Sequence, residues 1–399
     1  MPAREWNLKN MALKNMALKN MTTWEEAGGI DGFGALRGRR SGMAGPEQSG
    51  DAAAHSTTAR LLLAYHEVVG ELGGNPRGWL DEAGIEQGAA ADPAAQVPLH
   101  SLGQLLEDSA ARLGCPDLGM RLAERQSMQA TMQPLDQLFC TAPTIRDAFE
   151  CCIRHIVAFN SGLIMELEDD FDDEGGFLHF QLLDGLSLFP QLMEQLLLLT
   201  HHSVLFLSAG FARSRMVRMS HLNIAPPVAY AKRFNTVVRF GQEYDGLFLG
   251  HADLASRVAD CDSQRFAEEA RIVAKRFPAY RKDIDIKVRQ AVFRLLTSSE
   301  NCTRENIARL LGLQERTLNR RLSKRGTSFE AIRDEVRRNL AFRYLARDDL
   351  SLTEIAGRLG YSELAVLSRS CRRWFGAPPR RLRQDILSAR NPHPLRAHS

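Results

Sequence analysis

The 399-residue sequence carries its most chemically suggestive side chains near its end. A helix predicted over 314–325 presents Glu315, Arg316, Thr317, Asn319 and Arg320. A guanidinium can donate two parallel hydrogen bonds to guanine, and a carboxamide can pair with adenine. Arg316, Asn319 and Arg320 therefore suit the edges of base pairs in double-stranded DNA. A second helix predicted over 362–375 offers Leu364, Ala365, Ser368 and Arg369, with Arg372 and Arg373 behind them. Leu364 and Ala365 cannot hydrogen-bond through their side chains. This set is expected to read less sequence and to lean on phosphates through its arginines. Arg333, Arg337, Arg338, Arg380, Arg381 and Arg383 are further phosphate candidates.

Other chemistries find less support. There is no G-x-S-x-G, Walker-type loop or H-E-x-x-H, so no catalytic residue is assigned. The seven cysteines form no C-x-x-C pair, which fits reduced thiols in the cytoplasm better than zinc or disulfides. Asp170, Asp172 and Glu174 partly mimic a calcium loop, but Gln181 stands where the bidentate glutamate belongs, and a solvated hairpin turn is expected. No metal and no cofactor are therefore expected. Cys371, between arginines that would favour a thiolate, reads first as a small packing residue. His201 and His202 read as core or helix-surface residues, with a carboxylate effector as the alternative partner.

The elements that must position the base-reading helices form a repeat. ENIARLLGL at 305–313 returns as TEIAGRLGY at 353–361, with Ile307, Ala308, Leu311 and Gly312 recurring as Ile355, Ala356, Leu359 and Gly360. The alanine lets one helix cross closely under the next, and the glycine permits the tight turn between them. Leu318 and Leu367 face inward, so each repeat is a helix-turn-helix unit. Ser351 and Glu354 form a capping box, Thr303 can cap the first unit, and Val288 to Leu296 supply an amphipathic support helix. Ser328 can start a connecting helix that runs to about Arg347. Twenty residues at 1.5 Å each span ~30 Å, close to the ~34–36 Å between successive major-groove segments on one face of DNA.

Charge agrees. Residues 281–399 hold 26 Lys+Arg against 13 Asp+Glu, +13, whereas 1–280 hold 25 against 35, −10; together they make the net +3 of the chain. A basic module on an acidic carrier fits a polyanion partner. Residues 56–280 read as an α+β domain large enough for a core and a ligand cavity, with helices at 58–72, 99–113 and 144–159. Strand-like runs follow at Gly162–Glu168, Gly176–Leu183, 215–221 and 236–240. The apolar stretch 186–211 contains Pro190, Glu194, Gln195, His201 and His202, so a buried helix is expected and not a membrane span. Residues 1–55 are glycine-rich, echo NMALK and lack periodicity. They are expected to be a disordered extension, and Met21 or Met43 is an alternative start. No secretory signal is recognised.

Stretches 303–325, 326–347 and 351–383 resemble the DNA-binding domain of AraC/XylS-type transcriptional regulators. The likeness includes the GTSF linker start through Arg337 and the tail Arg373-Trp374-Phe375-Gly376 with Pro379, Leu382 and Arg383. Leu367 and Cys371 stand where that family usually has aromatics, which implies a thinner second core. The body is similar to the arabinose-binding-like domain of one branch, through Val97-Pro98-Leu99, Asp117 to Leu122, Thr144 with Ala148 and Phe149, and Arg239-Phe240. The resemblance implies an α+β ligand-binding domain at 56–280, followed by an all-α double helix-turn-helix domain at 281–390. It also implies base contacts at Arg316, Asn319 and Arg320, operator DNA as partner, and an effector of unknown identity bound by the body. A homodimer, a cytoplasmic location and contact with RNA polymerase are further expectations. Two readings from other classes are a repair methyltransferase carrying this type of DNA-binding domain, which would need a metal-held cysteine cluster, and a ligand-independent architectural DNA binder.

Overall fold

The computed structural model describes residues 55–156, 159–171, 174–182, 189–276, 284–297 and 300–390. The predicted extension over 1–55 therefore lies, save for His55, outside the described residues. The chain opens with β1 (Ser56–Thr58), which pairs antiparallel with β2 (Gln96–Pro98). The single helix expected over 58–72 is instead a 3-10 turn, Ala59–Leu62, and a short helix, Tyr65–Glu71, separated by Ala64 at φ 66°. The apolar spacing is compatible with both arrangements, and Leu61, Leu62 and Tyr65 are all buried in the one observed. Helices Pro76–Glu82 and Leu99–Leu113 follow, the first capped by Asn75 as its sequence suggests. Thr144 caps Ile145–His155 through Asp147 N.

The main sheet contains β3 (Leu163–Phe171), β4 (Gly175–Leu182), β5 (Met216–Arg218), β6 (Val237–Arg239) and β7 (Asp245–Gly250), in the order β3-β4-β7-β5-β6. β5 and β6 are parallel and the other pairs antiparallel. The central strand β7 was not recognised in the sequence, because Gly-Leu-Phe-Leu-Gly has no alternation and reads as a loop.

The apolar stretch forms the helix Pro190–Leu207, whose polar residues have internal tasks. Gln191 accepts from Gly119 N at 2.7 Å and donates to Pro116 O, and Gln195 donates to Leu61 O at 2.8 Å. Gly119 is required here, since a β-carbon would lie 1.9 Å from Gln191 O. Tyr230 donates to Glu194 Oε1 at 2.5 Å. Burial pushes the Glu194 carboxyl up to about 8, so it enters the core as the neutral acid. His201 is buried against Ser214, and desolvation pushes it down to about 3, which makes it a neutral core residue. Neither it nor His202 lines the cavity of this body. Among the described residues, no helix is long and apolar enough to cross a membrane.

Residues 50–399 hold together as one unit containing two hydrophobic cores, one drawn from 59–273 and the other from 288–371. The second core is wholly helical: a support helix Ile284–Thr297, then Arg304–Leu310, Glu315–Ser323, a connecting helix Phe329–Leu345, Leu352–Arg358, Leu364–Phe375 and Pro379–Arg390. Ser328 caps the connecting helix as expected, but the helix ends at Leu345 and has 17 residues, about 25 Å at 1.5 Å per residue. The expected run to Arg347 stops early. Arg347 turns its guanidinium onto Asp349 at 2.6 Å, outside the helix.

Candidate nucleic-acid interface

Each repeat folds as its sequence dictates. Ile307 and Ala308 in the first unit, and Ile355 and Ala356 in the second, are buried under the following helix. Gly312 turns at φ +63° and Gly360 at φ +68°, the left-handed region that a β-carbon disfavours. The Thr303 hydroxyl accepts from Asn306 N at 3.2 Å. Ser351 and Glu354 make both bonds of the capping box, at 3.1 and 2.7 Å.

The outer faces then follow from the inner ones. Leu318 and Leu322 are fully buried and fix the roll of Glu315–Ser323. That roll leaves Glu315, Arg316 and Arg320 exposed and Thr317 and Asn319 half-buried beside them. Among the described residues, neither Arg316 nor Arg320 has an ion-pair partner, so two guanidinium groups stand free on one helical face. In the second unit Leu367 and Cys371 are fully buried. Desolvation pushes the Cys371 thiol up to about 11, which fits packing and not a reactive thiolate. Leu364, Ala365, Arg369 and Arg372 are exposed and Ser368 is half-buried.

The phosphate candidates differ in how far they are committed, and Arg381 already lies 3.8 Å from Asp385. Arg380 and Arg381 are exposed and Arg338 is half-buried. Arg380 and Arg383 line a cleft with Leu352, Thr353, Leu364 and Gln384, and two nitrogens of Arg383 are buried there without a hydrogen-bond partner. Arg333 lies 5.0 Å over the Phe329 ring and reaches Cys302 O. Arg373 pairs with Asp334, which also accepts from Trp374 Nε1 at 2.9 Å, so it ties the second recognition helix to the connecting helix. Arg337 is the clearest departure. It donates to Gly360 O at 3.1 Å and stacks 4.5 Å over Tyr361, and burial pulls its pKa down. Its guanidinium braces the turn of the second unit. The pattern of arginines alone could not separate such a brace from a solvent-facing group.

Sequence reasoning missed the residues that join the two cores. Asp245 is 1% exposed; it accepts from Ser220 N and Oγ, and Arg343 of the connecting helix lies 3.3 Å away. Glu243 pairs with Arg358 on the first helix of the second unit, and Glu166 lies 3.5 Å from Arg294 on the support helix. Tyr244 packs edge-on against Phe293 at 6.0 Å, and Ile164 buries against Ile286. These partners lie from about fifty to well over a hundred positions apart, and no local pattern announces them.

Comparison with known proteins agrees with this architecture. Residues 73–258 match the family described as "Arabinose-binding domain of AraC transcription regulator, N-term", and 307–385 match "Helix-turn-helix domain". The chain is 30% identical to the HTH-type transcriptional regulator VirS of Mycobacterium tuberculosis over 82% of its own length and 95% of that protein's. It is 26% identical to the ornithine utilization regulator of Pseudomonas aeruginosa, over 81% of its length and 96% of that protein's. The crystal structure of the transcriptional regulator CdpR from Pseudomonas aeruginosa aligns with 80% of this chain and 98% of its own at 20% identity, TM-score 0.40. With the paired units and the body before them, the chain belongs to the AraC family of DNA-binding transcriptional regulators, and it is a regulator and not an enzyme.

Proposed function

We propose that the protein is an effector-responsive, operator-specific regulator. Residues 56–280 form its sensing and dimerising part, 281–390 its DNA-reading part, and 1–55 an extension with neither role. Arg316, Asn319 and Arg320 read base edges from the first unit, with Glu315 and Thr317 beside them. Leu364, Ala365, Ser368 and Arg369 lie in the groove more passively. Arg372, Arg338, Arg380, Arg381 and Arg383 contact phosphates, with smaller parts for Arg333 and Arg373, and Arg337 drops out of that set. The protein works in the cytoplasm, where a homodimer on its operator would meet RNA polymerase.

The observation that carries this reading is the pair of unpartnered guanidinium groups, Arg316 and Arg320, on a helix whose opposite face is locked by Leu318 and Leu322. The test is selection of bound sequences from a random duplex pool, followed by titration of the selected site. One defined site is expected; recovery of sequences without a shared motif would leave only an architectural binder.

A further inference from the structure

The body contains a cavity between the 3-10 turn, the Ile145–His155 helix, the Pro190–Leu207 helix and the inner face of β3 and β4. Its volume is about 70 Å³, and it opens to solvent at a mouth. Its walls are mainly leucine, phenylalanine and methionine side chains, and among the described residues no Asp, Glu, Lys, Arg or His lines it. The one thiol, Cys152, is pushed up to about 12 by burial and is neutral. The polar groups are hydroxyls and one amide. The Thr131, Thr200 and Ser203 hydroxyls each donate to a carbonyl of their own helix, at 2.9, 2.8 and 2.8 Å, which turns oxygen lone pairs toward the space. A carboxylate or ammonium would be desolvated there without a counter-charge, which is costly, whereas a neutral molecule with an apolar body and a hydroxyl or amide N–H would find acceptors.

The same wall touches the DNA-reading part. Along β3 the side chains alternate. Leu163 and Met165 line the cavity, while Ile164 and Glu166 meet Ile286 and Arg294 of the support helix. Met165 is directly opposite Phe180, another wall residue, and Phe180 is directly opposite Asp245, the anchor of Arg343. The sheet thus separates the cavity from the support helix, while the row Met165, Phe180 and Asp245 shares the cavity face and ends on Arg343 of the connecting helix.

We propose that this cavity takes a neutral, predominantly apolar small molecule bearing a hydrogen-bond donor, and that its occupancy is felt on the far side of the sheet. The proposal rests on the effector-responsive reading and narrows the class of effector.

The test uses the full chain and four neutral probes, 1-octanol, octanamide, benzyl alcohol and indole, against octanoate and ornithine, by thermal shift and calorimetry. Binding of at least one neutral probe is expected. If octanol or octanamide binds, octanoate at pH 8 should be at least tenfold weaker. Ser203→Leu, which fills the half-buried rim with an apolar group, should weaken the bound probe tenfold or more without lowering the melting temperature. Thr200→Val, with a smaller change in volume, serves if Ser203→Leu does not fold. Hydrogen exchange in Ile284–Thr297 should change on binding. Binding of none of the neutral probes, preference for octanoate or ornithine, unchanged affinity in the variant that folds, or unaltered exchange in the support helix would each overturn the proposal. None of these readouts uses DNA, so loss of operator recognition would count against the proposed function alone.

Discussion

The two helix-turn-helix units share a backbone but not a circumstance. Both turn on a left-handed glycine and bury Ile-Ala under the next helix. The first unit is tied to the connecting helix through Arg304 and Glu330, and among the described residues Arg316 and Arg320 on its recognition face have no ion-pair partner. The second is held from several sides: Arg337 braces its turn, Asp334 holds Arg373 and Trp374, Ser351 and Glu354 close its entry, and Glu243 of the body grips Arg358. Its exposed face begins with leucine and alanine. On the function proposed above, the difference amounts to a division of labour in which one unit discriminates sequence and the other is positioned.

The strongest way to break this comparison is through the cores. Leu318→Ala and Leu367→Ala each delete a fully buried side chain, and each should cost ~2–5 kcal/mol in denaturant unfolding. The second unit should lose no less than the first, because Leu367 packs where the support from the connecting helix converges. A negligible loss at Leu367 would mean that the second unit is not held by its core.

Next comes recognition. Arg320→Ala should weaken binding to the selected site by ~1–3 kcal/mol, as expected for loss of a bidentate base contact, and relax preference at one base pair. Arg369→Ala should cost less and leave preference intact. Gel-shift titrations of both variants decide it, and equal losses would erase the division of labour. A smaller effect separates the caps. Removing a cap costs ~1 kcal/mol, and the double variant Ser351→Ala/Glu354→Ala should exceed Thr303→Ala because it removes both bonds of a reciprocal pair and not one. The smallest is read from salt. Arg372→Ala should reduce the slope of log affinity against log salt by about one counterion, whereas Arg373→Ala should change it less, because Asp334 already neutralises that guanidinium.

Much of this was legible in the order of residues. The Ile-Ala-x-x-Leu-Gly repeat, the serine and threonine caps and the inward leucines are local signals, and each appears where the spacing puts it. Glycines at a helix end act within a few residues, so their message survives without the fold. The losses have the opposite character. Strand β7 is buried on both faces and carries no alternation to betray it. The break at Ala64 falls within a run whose apolar spacing fits an unbroken helix. Arg337 is chemically identical to its neighbours and differs only in what the second unit places above it. The grip of Glu243 and Asp245 on the connecting and second-unit helices joins positions about a hundred residues apart.

That last grip bears on how freely such regulators can be recombined. Two family domains joined end to end invite chimaeras in which the DNA-reading half is moved onto another sensor. Here the graft would carry the largely buried Arg343 away from Asp245, and a buried charge stripped of its partner costs several kcal/mol. A transplant of residues 284–390 should therefore carry a matching 243–245 segment in the recipient body, so the true unit of exchange includes three residues from the wrong side of the seam.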